Sequence, residues 1–145
     1  MRLLVLMLVL LTACGRIHVS PPKDPPPAAA MTREQLDDEY GVVLDWGADM
    51  DDLDSAAQFR AAELDLAETR ARLGASVLDG ATSCDAARVA LLEAAWWLGL
   101  EARLRGQELV NPDHYDWQVD VVAGQAWEAI SAALAWDFAC EADWG

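Results

Sequence analysis

The tract Pro21-Pro22-Lys23-Asp24-Pro25-Pro26-Pro27 limits most sharply what this chain can fold into. Proline lacks a backbone N–H and fixes φ, so neither a helix nor a central strand passes through such a stretch. Proline-rich segments run as extended polyproline II spacers, about 3.1 Å per residue. The tract therefore divides the chain into a short apolar leader, a tether over 14–31, and a remainder over 32–145 that must hold any folded domain.

The remainder reads as helix. Thr32-Arg33-Glu34-Gln35 has the form of a capping box, with Leu36, Tyr40 and Val43 following at helical spacing. Gly41 and the run Val42-Val43-Leu44 weaken this first helix, and Gly47 is expected to end it. Ser55-Ala56-Ala57-Gln58 is a second capping box. Behind it Phe59, Ala62, Leu66, Leu73 and Val77 share a face, with Gly80 as the expected terminator. Ser83 can cap a third helix, with Asp85 in its first turn. Its expected stripe is Val89, Leu92, Trp96 and Gly99, widened by Leu91, Ala94, Ala95 and Leu98, with Arg103, Arg105 and Gly106 at its end. A helix this broadly apolar belongs at the centre of a bundle. Asn111-Pro112 offers an N-cap and an N1 proline for a fourth helix running through Trp127, Ile130, Leu134 and Phe138 to about Cys140.

The leader has a different logic. Arg2 is a short positive region, Leu3 to Leu11 is unbroken apolar sequence, and Leu11-Thr12-Ala13 sets small residues before Cys14. That is the layout of a secretory signal peptide. The apolar run is about half the ~20 residues that a membrane-spanning helix needs. The segment resembles the bacterial lipoprotein signal, whose lipobox is Leu, a small residue, Ala or Gly, then Cys; Leu11-Thr12-Ala13-Cys14 fits at every position. The resemblance implies removal of residues 1–13, a diacylglyceryl thioether on Cys14, and an acylated new amine. Two or more acyl chains hold a protein stably on a membrane. Gly15, rather than an Asp, follows the cysteine, which in that family points to the outer membrane, here with the domain facing the periplasm. The competing reading is that Cys14 ends an ordinary signal peptide or a buried apolar helix.

Charge narrows the partners. The formal net charge is −15, and loss of residues 1–13 would remove one base, Arg2, and no acid, giving −16. Nucleic-acid binding rests on basic surface, so that class is excluded, as is lying flat on anionic lipid. The membrane contact expected is the lipid on Cys14 alone; a basic protein partner is compatible with the charge.

Given that anchor, the three cysteines leave Cys84 and Cys140 as a pair, and an exported protein sits where paired cysteines bridge. Cys84 starts the third helix and Cys140 ends the fourth, so an antiparallel hairpin brings them together. The lengths conflict: Cys84 to Arg105 spans ~33 Å and Pro112 to Cys140 ~43 Å at 1.5 Å per residue. The fourth helix is therefore expected to bend near Gly124, to begin late or to overhang.

Candidate sites are sparse. The segment from Asp49 to Asp54 fails as a calcium loop, since Leu53 falls at its fifth position, Asp54 at its sixth and Arg60 at its twelfth. His114-Tyr115-Asp116, between Asp113 and Asp120, has catalytic residue types but no accompanying nucleophile, and a metal there would want a second histidine or further ligands brought in by the fold. No metal or cofactor site is expected. Seven tryptophans in 145 residues are unusual. They serve either core packing or an exposed platform for a partner, with Trp96, Trp97 and Trp117 as its members.

The sequence thus predicts an all-α bundle of three or four helices with a disulfide-stapled C-terminal hairpin, behind a signal peptide and a tether. The function expected is a non-enzymatic envelope lipoprotein with a structural, accessory or interaction role, partnered by an envelope protein. The alternatives are an inhibitor or immunity-type lipoprotein facing a basic enzyme, and an enzyme acting on cell-wall glycan.

Overall fold

A computed structural model of the chain describes residues 29–78, 82–112 and 117–144. The lipobox, Cys14, the proline tract, Gly80 and the His114-Tyr115-Asp116 cluster lie outside the described residues. The architecture is all-α: α1 (Arg33–Asp49), α2 (Ala56–Gly74), α3 (Thr82–Val110) and α4 (Gln118–Trp144). Two short segments, β1 (Ala29–Ala30) and β2 (Ser76–Val77), pair in parallel, with Ala29 opposite Ser76 and Ala30 opposite Val77. Met31 is buried, so the folded body takes in the last residues of the stretch read as tether.

Both capping boxes form. Thr32 Oγ1 accepts from the Gln35 amide at 3.2 Å while the Thr32 amide donates to Gln35 Oε1 at 2.9 Å. Ser55 Oγ accepts from the Gln58 amide at 3.2 Å, and Gln58 Oε1 accepts from the amides of Ser55 and Asp54. Each box satisfies amides that the first helical turn leaves unpaired.

Three helix ends differ from the sequence reading. Gly47 does not stop α1, which runs to Asp49 and then tightens into a single 3-10 turn, Met50–Asp52, with Met50 buried. α2 stops at Gly74, before Val77. Arg88 of α3 donates to the Leu73 carbonyl at 2.7 Å, a tertiary contact, and the nearby Ser76 hydroxyl donates to the Arg72 carbonyl at 2.6 Å. These donors satisfy terminal carbonyls and free the chain to turn away. Gly106 does not end α3, which continues to Val110. A Cβ there would stand 3.3 Å from Phe59 Cβ, so its missing side chain admits α2.

The length conflict disappears for the same reason. α3 has 29 residues and α4 has 27, starting late at Gln118 instead of Pro112. Cys84 and Cys140 are disulfide-bonded, with Cα atoms 4.5 Å apart and both residues fully buried.

α3 is central, packed on α4 along one side and on α2 along the other, with α1 touching all three. Leu36, Val43, Leu66, Leu73, Leu91 and Leu98 are the large fully buried aliphatics. The inward faces of α3 and α4 keep only part of the expected stripes. On α3, Leu91, Ala94, Ala95 and Leu98 point in, while Val89 and Trp96 are exposed. On α4, Ala126, Ala129, Ile130 and Ala133 point in, while Trp127, Leu134 and Phe138 point out. Small residues let two long helices approach closely, and indole rings in that seam would hold them apart.

Ion pairs tie the helices together. Arg33, at the start of α1, contacts Asp37 at 3.1 Å and reaches α4 at Asp137, 2.8 Å, and Glu141, 3.4 Å. Arg72 of α2 grips both carboxylate oxygens of buried Glu39 on α1 and also donates to Thr69. Trp46 Nε1 donates to Asp65 Oδ2 at 2.7 Å, a second link from α1 to α2.

Candidate functional site

The sequence places partner binding on Trp96, Trp97 and Trp117. The structure brings two of them together. Trp96 and Trp97 meet edge to face, ring centroids 4.7 Å apart and planes at 80°. Consecutive residues on a helix point about 100° apart. Trp96 accordingly stands exposed, while Trp97 leans on the core and donates from Nε1 to Glu93 Oε1 at 3.5 Å. Trp117 is exposed just before α4, at the loop end of the hairpin. Trp97 lies thirteen residues from the end of α3, or ~20 Å along its axis. The three do not make one platform.

A larger aromatic face was hidden by its own hydrophobicity. Trp127, Leu134 and Phe138, through which the fourth helix is expected to run, are 58%, 39% and 72% exposed. Their spacing of i, i+7 and i+11 puts them along one side of α4. Only Ile130 of that expected stripe is buried. The signal that could have revealed this is the alanine series Ala126, Ala129 and Ala133, which has equally good helical spacing and marks the true seam. The charge of α4 is one-sided too. Residues 118–144 contain Asp120, Glu128, Asp137, Glu141 and Asp143 and no Lys, Arg or His. Exposed Trp127, Leu134 and Phe138 thus share a helix with acids alone, two of which, Asp137 and Glu141, are met by Arg33 of α1; exposed apolar groups of this size on one side of a helix mark an interaction surface.

The buried titratable groups serve structure. Glu101 on α3 is almost fully buried, and that burial holds its carboxyl above the usual range against the opposing pull of Arg105. Arg105 lies 2.8 Å from Glu101 and 2.9 Å from Asp51, fastening the 3-10 turn to α3. Arg72 is raised chiefly by its hydrogen bond to Glu39. Tyr40 is pushed up to about 12, first by burial and then by the charge of Asp137. Among the described residues, no cluster of three His, Cys, Asp or Glu side chains is placed to hold a metal ion, and no helix is long and apolar enough to cross a membrane.

No family model, curated protein or solved structure matches the chain.

Proposed function

We propose that the chain is a lipid-anchored protein of the bacterial envelope whose helical domain binds another envelope protein through the outer face of α4. Removal of residues 1–13 and acylation of Cys14 supply the anchor, and the proline tract sets the domain off from the bilayer. The observation that carries the binding role is the exposed Trp127–Leu134–Phe138 side of a helix without a single basic residue. Anchors at such intervals fit the helix-in-groove mode, in which an apolar face lies in a complementary groove. Burying these aromatic and aliphatic anchors supplies the affinity.

A second reading is favoured by the net charge of −15. The same face could block a basic envelope-active enzyme, as an inhibitor or immunity-type lipoprotein. Steep loss of binding with salt separates the two, since electrostatic steering weakens within a Debye length of ~8 Å at physiological ionic strength.

The test has two arms. Intact-mass analysis of native protein is expected to find a chain beginning at Cys14 with acyl mass, and Cys14→Ser is expected to release the protein from membranes. A photo-crosslinking amino acid at position 138 is expected to capture one discrete partner, and the same probe at exposed Leu64 on α2 none. Equal capture at both positions sinks the face assignment; an unacylated chain starting at Met1 sinks the anchor.

A further inference from the structure

The outward side of the α2–α3 pair holds a groove in two parts. The larger, of ≈ 630 Å³, has an apolar floor and wall from Phe59, Ala102, Gly106 and Val110. It exists because α3 offers only an alanine and a glycine opposite the Phe59 ring. The smaller, of ≈ 150 Å³, is lined by Arg70, Trp96, Gly99 and Leu100. Glu63 and Arg103 line both parts and mark where they join.

The charges of this groove run against the rest of the protein. Arg103 Nε donates to Glu63 Oε1 at 2.8 Å and Arg60 lies 3.3 Å from Glu63 Oε2, so one carboxylate is shared by two guanidinium groups. Arg70 has no carboxylate partner among the described residues. The other arginines there are all paired: Arg33, Arg72, Arg88 and Arg105 each have at least one acid within 4 Å. In a chain with 25 acids and 10 bases, an unpaired, half-buried arginine is the reverse of what composition favours. Three arginines against one glutamate make this groove locally basic.

We infer that the groove binds a fatty-acid carboxylate. The alkyl chain lies in the larger part against Phe59, Gly106 and Val110; the carboxylate sits between Arg70 and Arg103, beside the exposed indole of Trp96. A cavity of this size falls within the 300–1,000 Å³ typical of small-molecule sites, and a guanidinium fork matches a carboxylate in two parallel hydrogen bonds. The Arg103–Glu63 pair crosses from α3 to α2 between the two parts, so a thin alkyl chain threads the groove where an acidic helix would not. This site lies on α2 and α3 and does not depend on the role given above to α4.

The experiment uses the full chain in phosphatidylcholine nanodiscs, which avoids detergent in the groove, and a diazirine-bearing dodecanoate as the probe. Cross-links are expected on Phe59 and on the 102–110 stretch, displaced by dodecanoate and not by dodecanol. Arg70→Gln removes no ion pair, so the fold stays intact by circular dichroism, and the half-saturating probe concentration rises about tenfold or more. Val110→Glu, at a position 76% exposed, reduces labelling equally by placing a carboxylate at the tail end. Labelling unchanged by Arg70→Gln, equal competition by dodecanol, or displacement by an acidic peptide with dodecanoate inert would each overturn the assignment.

Discussion

The Cδ1 methyl of Ile130 lies 3.0 Å from the point a Cβ on Gly47 would occupy, with Leu98 Cδ1 3.9 Å away. Gly47 is thus a point of close approach between α1 and α4, set in the interior of a helix. Gly41 and Gly124 are also helical, and nothing stands within 4 Å of a Cβ on either. Alanine in a helix interior is favoured over glycine by up to ~1 kcal/mol. Gly41→Ala and Gly124→Ala are each expected to raise stability by about 0.5–1 kcal/mol in urea denaturation. Gly47→Ala must displace the Ile130 methyl first, so its gain is expected to fall short of theirs. A full gain at Gly47 would contradict the contact.

That contrast explains what the sequence could and could not reveal. The capping boxes at Thr32 and Ser55 were legible because each is closed by side chains three residues apart. Gly47 and Gly106 were read as stops because their neighbours, Ile130 and Phe59, are distant in sequence. The end of α2 was missed because Arg88 lies fifteen residues beyond the carbonyl it satisfies. α3 offers two neighbouring apolar stripes, one with Val89 and Trp96 and one with Leu91, Ala94, Ala95 and Leu98, and α4 carries apolar residues on several sides, so periodicity found the helices without choosing between faces. Bulk was then a poor guide: the tight seam took alanines and left indoles outside. Arg70 gives no sequence signal, since whether it is paired depends on what α3 places opposite it.

Tyr40 buries a hydroxyl that has no hydrogen-bond partner among the described residues. An unsatisfied buried polar group costs about 1–3 kcal/mol, while the ring still packs. Tyr40→Phe is therefore expected to leave the melting temperature unchanged or to raise it. The variant also removes an alkaline liability. The hydroxyl's folded pKa of about 12 lies above its ordinary value of 10.0, so its contribution is intact below pH 10 and is lost as pH rises toward 12. Chemical denaturation across that window should show a smaller stability loss in the variant.

Glu101 gives the opposite end of the pH scale. Burial raises its carboxyl, so the folded state takes up a proton at higher pH than the unfolded chain. Stability contributed by this group is present at acid pH and is lost as pH rises through the raised folded value. Glu101→Gln lacks that dependence. The native chain should gain on the variant as pH falls from 7 into the carboxylate range, as read by paired urea titrations. A constant difference across that range would mean that Arg105 fully offsets the cost of burial.

The disulfide joins Cys84 and Cys140 across a sequence separation of 56 residues. Constraint of the unfolded chain over such a loop is worth ~4 kcal/mol on the chain-entropy estimate, within a total of only 5–15 kcal/mol for a domain. Cys84→Ser/Cys140→Ser is expected to lose about that much, with α3 and α4 still helical by circular dichroism because their alanine seam remains. Arg33 Nη1 donates to Cys140 Sγ at 2.9 Å, so the α1 start loosens with the bridge and hydrogen exchange there should accelerate. Both cysteines are fully buried, so a reductant reaches the sulfurs only when the hairpin opens. Alkylation under dithiothreitol should then rise with urea in parallel with global unfolding; rapid alkylation of the folded protein would place the bridge at the surface and remove it from the core.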